Sequence, residues 1–330
     1  MKNKNNLDLV IQENFQKDYD ESDLFSKANH PKDGAELLSG KSYTYLISSM
    51  RRFTKNRVAF FFFLLLLFTI IFMVLQPYFP GQESDPLKIY NDSNGVQIRN
   101  APPNEQFILG TNAIGQDLWS LTWSGARTSL FIGAMVSVIE TVLGVFFGII
   151  WGYSKSFDFV FTGIYNIINN IPQTLALVVI SYALRPGVTT IILALSLTGW
   201  LITARYIRNQ VILLRDKDYV LASRCLGTST VKIVFRNLFP YIISIITMRM
   251  SMAIPFAISN EVFVSYLGLG LPQNKPSLGN LIVLGIDKMM EPSLRYQLLF
   301  PSAILTLVSV SFYVAGNAFA DAFDPKNHDE

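Results

Sequence analysis

"VAFFFFLLLLFTIIFMVLQPY", residues 58–78, carries no charged side chain. At 1.5 Å rise per residue it spans roughly 30 Å, the thickness of a hydrocarbon core. Backbone groups in lipid must pair internally, so a run this long and this apolar reads as a membrane-spanning helix. It begins too late and runs too long for a secretory signal, whose apolar part is roughly 7–15 residues.

Five further apolar runs follow, at about 128–152, 159–184, 189–213, 241–267 and 298–319. The expected fold class is therefore an all-α polytopic membrane protein with six transmembrane helices. Composition agrees: of 330 residues 50% are apolar, 25 are Phe, and only 15% are charged, against about 25% in soluble domains. The charges cluster in residues 1–57 and in a few islands. A balance of 27 Lys+Arg to 24 Asp+Glu argues against nucleic acid as a partner, which calls for a basic face or motif. The single cysteine, Cys225, excludes an internal disulfide and a cysteine metal cluster.

Lys and Arg near the span ends set the expected orientation. Arg51, Arg52, Lys55 and Arg57 precede the first span, which places the N-terminal tail, 1–57, in the cytosol. Alternation puts 79–127 outside as a small turn-rich segment, "FPGQESDPLKIYNDSNGVQIRNAPPNEQ" at its start. Residues 128–320 form a five-helix core, and the tail 321–330 returns to the cytosol. Residues 214–240 fall inside, and they carry Arg215, Lys217, Arg224, Lys232 and Arg236. The sequence shows no repeat, which weighs against carriers built from inverted repeats.

Several local patterns bear on chemistry. "AELLSGKS" at 35–42 loosely matches a phosphate loop, but "NHPKDG" before it cannot be the buried strand such a loop needs. It reads as a chance match in a tail. His30 and His328 stand in polar tails without partners at metal-ligand spacing, and no nucleophile–base arrangement is present. The chain is expected to be no enzyme and to bind no metal. Gly144, Gly148 and Gly152 recur every four residues on one helix face, where a second helix can approach closely. Helix packing and a wall that slides during transport are both open readings. Glu140, Arg249 and Glu261 fall inside spans, where a charge costs about 2.5–3.5 kcal/mol on insertion scales. They are expected to face a translocation path or a subunit interface, with snorkelling open for Arg249.

The stretch "DYVLASRCLGTSTVKIVFRNLFP", 218–240, is half polar between two apolar runs. Asp218 can start a short helix with Tyr219, Ala222 and Leu226 along one side. Gly227 allows a turn with φ > 0. A second helix, capped by Ser229 or Thr230, carries Val231, Val234, Phe235 and Leu238 on one face, and Pro240 is expected to end it. This helix pair reads either as interfacial or as a docking element for a soluble partner.

The spacing Ala222-Ser223, Gly227, Leu238, Pro240 resembles the "EAA" loop of ABC importer permeases. "ARYIRNQVILLRDKDYVLASRCLG" (204–227), "LGTNAIGQDLWSLTWSGARTSLFIG" (109–133), "SYLGLGLP" (265–272) and "NAFADAFDP" (317–325) are similar to the dipeptide/oligopeptide/nickel branch. Within it the second, C-type permease of oligopeptide importers, as in the Opp and Ami systems, is the nearest match. The resemblance implies a type I importer permease fold in a bacterial cell membrane. The partners it implies are a second permease subunit, two ABC ATPases, a peptide-binding lipoprotein outside and an oligopeptide substrate. It implies that ATP and Mg are bound by the ATPases and no cofactor by this chain. In this reading the ATPase-coupling residues are Asp218, Tyr219, Ala222, Ser223, Leu226, Gly227, Val231, Val234, Phe235, Leu238 and Pro240. Leu221 stands where the motif's Glu is usual and Ser223 replaces its second Ala; Asn112 and Gln116 replace the Asp and Arg of "GTDxxGRD". A dipeptide or nickel permease is the near rival; a self-contained channel or ion-driven carrier, or a scaffold without transport, is the distant one.

Overall fold

The computed structural model describes residues 45–79 and 85–324. Most of the expected N-terminal tail, the loose phosphate-loop match and both histidines lie outside the described residues. Eleven α-helices and two short 3-10 turns are described: α1 Tyr45–Lys55, α2 Arg57–Leu75, α3 Leu118–Tyr153, α4 Lys155–Asn169, α5 Gln173–Ala183, α6 Val188–Arg215, α7 Asp218–Cys225, α8 Thr230–Ile233, α9 Phe239–Tyr266, α10 Leu278–Ile286 and α11 Tyr296–Ala322. A π-helical turn, Val234–Leu238, joins α8 to α9. Among the described residues five helices are long and apolar enough to cross a membrane, and the count is six if the bent pair α4–α5 is one span.

Three boundaries differ from expectation. The second span begins at Leu118 rather than near 128, because Asp117 caps α3 by accepting from the amides of Trp119 (3.2 Å) and Ser120 (3.1 Å). The third span is broken: α4 and α5 meet at 79°. Pro172 has no N–H to give and disfavours helical backbone at Ile171, so the helix stops at Asn169. The fifth span is longer, because Pro240 does not end the helix. Just before it the Phe239 N–H reaches back to Val234 O. This widened turn tolerates the missing donor, and Pro240 sits in the first turn of α9.

α3 and α6 make the most extensive helix contact. A Cβ on Gly144 would lie 2.6 Å from Thr203 Cγ2, on Gly148 2.6 Å from Ala204 O, and on Gly152 2.7 Å from Val211 Cβ. The glycine face is thus closed by α6 of the same chain. Gly148→Leu is expected to force the pair apart and to cost about 1–3 kcal/mol or more, read as a lowered melting temperature of the detergent-purified protein.

Residues 85–117 form a turn-rich segment with isolated antiparallel bridges such as Ile89 with Gln116. Asn112 and Gln116 pair with each other, amide to amide at 2.9 Å. The segment is pinned to the start of α11, where Gln297 Nε2 donates to Asn100 Oδ1 at 2.9 Å. Below it, Met73, Trp123, Ala126 and Leu278 form a core joining α2, α3 and α10. At the opposite end α1 lays Phe53 against Phe63 and Phe319, ring centroids 5.6 and 5.4 Å apart.

Candidate functional site

The connection from α6 to α9 is built on a buried core. Ile207, Val211 and Leu214 of α6, Val220 of α7, Ile233, Val234 and Leu238 of the α8–π segment, and Ile242 of α9 pack together. Val220 is the buried residue of α7, with Asp218 in its first turn complementing the helix N-terminus. The end of α7 is a Schellman motif: Thr228 N–H donates to Ser223 O (3.1 Å) and Gly227 N–H to Arg224 O (2.9 Å). Gly227 has φ +75° and open space where a Cβ would stand. Glycine is needed there for backbone reach alone.

Side chains fix the corner further. Asn237 Nδ2 donates to Ser223 Oγ at 2.8 Å, and Ser223 Oγ donates to Tyr219 O at 2.8 Å. Tyr219 and Tyr241 stack with centroids 6.1 Å apart. Arg224 lies over the Tyr153 ring at 4.9 Å, and Arg215 Nη1 donates to Gly152 O at 2.6 Å. The corner is therefore tied to the end of α3 as well as to α6 and α9.

The expected apolar face of the second helix is divided. Val234 and Leu238 are buried, Leu238 at 0% exposure, but Val231 (66%) and Phe235 (67%) point out. The π turn shifts the phase, so Ile233, rather than Val231, joins the core. Ser229 occupies the cap position without a side-chain bond. Outside remain Leu226 (85% exposed), Val231 and Phe235, with Tyr219, Leu221 and Ala222 also exposed. These exposed apolar side chains share the α7–π segment with the exposed Lys232 and Arg236. Leu221, in the place of the motif's Glu, adds to the apolar surface.

The charges within the spans separate into two places. Glu140 and Arg249 both face the stretch of α6 around Gly199 and Thr203. The Glu140 carboxylate fills the space where Gly199 would carry a Cβ. Arg249 Nη2 reaches Thr203 Oγ1 at 3.5 Å, and its guanidinium lies over Tyr206 at 5.0 Å. Arg249 thus reaches across to α6 rather than snorkelling. Glu261, expected on a path or a subunit contact, is instead enclosed at 0% exposure. Its carboxylate accepts from Ser277 Oγ (2.7 Å), Ser265 Oγ (3.1 Å) and Ser129 Oγ (3.1 Å). The spacing alone held no sign of this cage, because its serines come from α3, α9 and the cap of α10. Among the described residues no group of three His, Cys, Asp or Glu could hold a metal ion.

Residues 144–329 match the family described as binding-protein-dependent transport system inner membrane component. The chain belongs to this family. It is a permease subunit of the ABC importers, a multi-pass membrane protein. The permease is 37% identical over 89% of its length, and 94% of the relative's, to the oligopeptide transport system permease protein AmiD of Streptococcus pneumoniae. It is 32% identical to the oligopeptide transport system permease protein OppC of Bacillus subtilis, covering 92% and 97% of the two chains. The dipeptide transport system permease protein DppC of Bacillus subtilis is 33% identical over 88% and 89%. Among solved structures, a chain of the MetNI methionine ABC transporter in an inward-facing conformation superposes with TM-score 0.51, at 18% identity, over 62% of the permease and 96% of that chain. The permease therefore has the type I importer fold.

Proposed function

We propose that the permease is one half of the membrane channel of an ATP-driven oligopeptide importer. Its α7–α8 corner is where a cytosolic ATPase docks. The observation that carries this reading is the exposure of Leu226, Val231 and Phe235 on a segment whose Val220, Ile233, Val234 and Leu238 are buried in a core, at the Lys/Arg-rich end. Exposed apolar side chains on a well-anchored corner suit a groove in a soluble partner. In this reading the chain hydrolyses nothing. Two ATPases bind ATP and Mg, a second permease completes the channel, and a peptide-binding lipoprotein delivers peptide outside.

The geometry supplies the lever. Closure of the ATPases pushes on α7 and the π segment. Val220, Leu214 and Leu238 pass that push to α6 and α9 through their shared core. The glycine face and the Arg215–Gly152 bond make α3 move with α6. Oligopeptide is taken as substrate from the naming of the relatives at 37% and 32% identity; a dipeptide substrate is the second reading, favoured by the relative at 33%. Competition of labelled-peptide uptake by short peptides, longer peptides and Ni²⁺ separates them. Longer peptides are expected to compete best. The double variant Leu226→Asp/Phe235→Asp is expected to insert normally but to lose the ATPases on purification, with uptake falling at least tenfold; full ATPase recovery would sink the docking assignment.

A further inference from the structure

The break between α4 and α5 is not explained by docking or by helix packing. It lies at 170–172, in the middle of the uncharged stretch between Asp158 and Arg185. Non-helical backbone at membrane depth is stable only where protein buries it or where it lines a water-filled cavity. Here Asn166, Asn169, Asn170, Ile171 and Pro172 are all exposed in the single chain. Amide side chains turned to lipid would each cost several kcal/mol. The break is also held firmly on both sides. Below it, Arg208 pairs with Asp158 at 2.7 Å and Trp151 Nε1 donates to Thr162 Oγ1 at 3.2 Å. Above it, α5 packs on α6.

A cavity of about 190 Å³ opens at the break. Its polar lining is Tyr165, Asn169, Gln173 and Thr198, all neutral, set among apolar side chains such as Ile171 and Leu201. The volume falls short of the roughly 300–1,000 Å³ that encloses a drug-sized ligand, which suits a segment of a chain that continues past it. Part of each amide is already engaged. Asn169 accepts from the Tyr165 hydroxyl at 2.9 Å, which leaves its NH₂ as a donor. Gln173 donates to Thr198 Oγ1 at 3.4 Å, which leaves its carbonyl as an acceptor. Spare amide donors and the Gln173 carbonyl acceptor flank Pro172. A peptide unit offers the complementary C=O and N–H whatever its side chains are.

We propose that this break is a binding site for the main chain of a peptide in transit, held by the side chains of Asn169 and Gln173. The inference rests on the oligopeptide reading above. Its lining carries no charge, so it selects an extended main chain rather than particular side chains.

The test uses the assembled importer in proteoliposomes, with labelled pentapeptides of different side chains and one N-methylated at its central amides. Asn169→Ala and Gln173→Ala are each expected to lower peptide moved per ATP hydrolysed roughly two- to tenfold, the range of one lost hydrogen bond. The loss should be alike for all unmodified sequences, and the double variant should cease to discriminate against the N-methylated peptide. In a Cys225→Ser background, Ile171→Cys should react with a charged thiol reagent, and peptide should slow that reaction. Unchanged transport per ATP, or an Ile171→Cys thiol that does not react or is not slowed by peptide, overturns the site. Loss of the second permease from the variant complexes also overturns it, by assigning the break to a subunit contact. If the unsubstituted complex moves Ni²⁺ but no peptide, the oligopeptide reading fails first and the site falls with it. Normal peptide transport with indifferent variants removes the site alone.

Discussion

Gly227→Pro is expected to leave the chain in the membrane and to abolish ATP-driven uptake. Proline fixes φ near −65°, whereas Gly227 has φ +75°. The substitution also removes the N–H that Arg224 O accepts at 2.9 Å. The Schellman turn cannot form, so α7 and the π segment lose their relative placement. The spans are laid down by their own apolar runs and do not need this turn. Gly227→Ala grades the effect: its Cβ meets open space, and the left-handed backbone costs only about 1–2 kcal/mol. Membrane yield and labelled-peptide uptake are to be measured side by side. Normal yield with no uptake is expected for proline, and normal yield with reduced uptake for alanine. Full uptake by the proline variant would contradict the lever.

Glu261→Ala is expected to be the most destabilising single change in the spans. It strands three enclosed hydroxyls, and an unsatisfied buried polar group costs about 1–3 kcal/mol. Two of them are relays. Ser129 Oγ also accepts from Leu278 N–H at 3.1 Å, and Ser277 Oγ from Asn280 N–H at 3.0 Å. The carboxylate therefore holds the start of α10 against α3 and α9. Gly279 closes the cage, with no room for a Cβ before Glu261 Oε1 at 2.5 Å. A loss of at least about 3 kcal/mol is expected, seen as a lower melting temperature and poor yield of the detergent-purified complex. Glu261→Gln keeps the volume and one oxygen, and should fall between. An alanine variant that melts with the wild type would show that the cage contributes little.

The spans were legible because lipid demands long apolar helices, and residues 58–78 meet that demand on every face. The break at Pro172 is faint in the sequence: hydropathy across 159–184 stays apolar, and only the "NNIPQ" cluster marks it. The second span's true start was marked by Asp117, a capping signal standing before residues that are half polar. In the loop, the turn at Gly227 could be read from glycine alone. The facing of the second helix could not, because helical periodicity assumes 3.6 residues per turn and the π turn departs from it. Pro240 was the only sign of that departure, and it read as a stop. Asn237, which ties Ser223 to the π segment, had no local signal, since its partner lies in another helix. The Glu261 cage was hidden for the same reason.

The proposed importer works only if the α7–α8 corner docks ATPases. Its most direct test is gentle detergent purification of the tagged permease from its native membrane, with identification of the chains that come with it. Two ATPases and a second six-span permease are predicted, and Leu226→Asp/Phe235→Asp should release the ATPases while keeping the second permease. A chain that purifies alone and carries flux in liposomes without ATPases would contradict it.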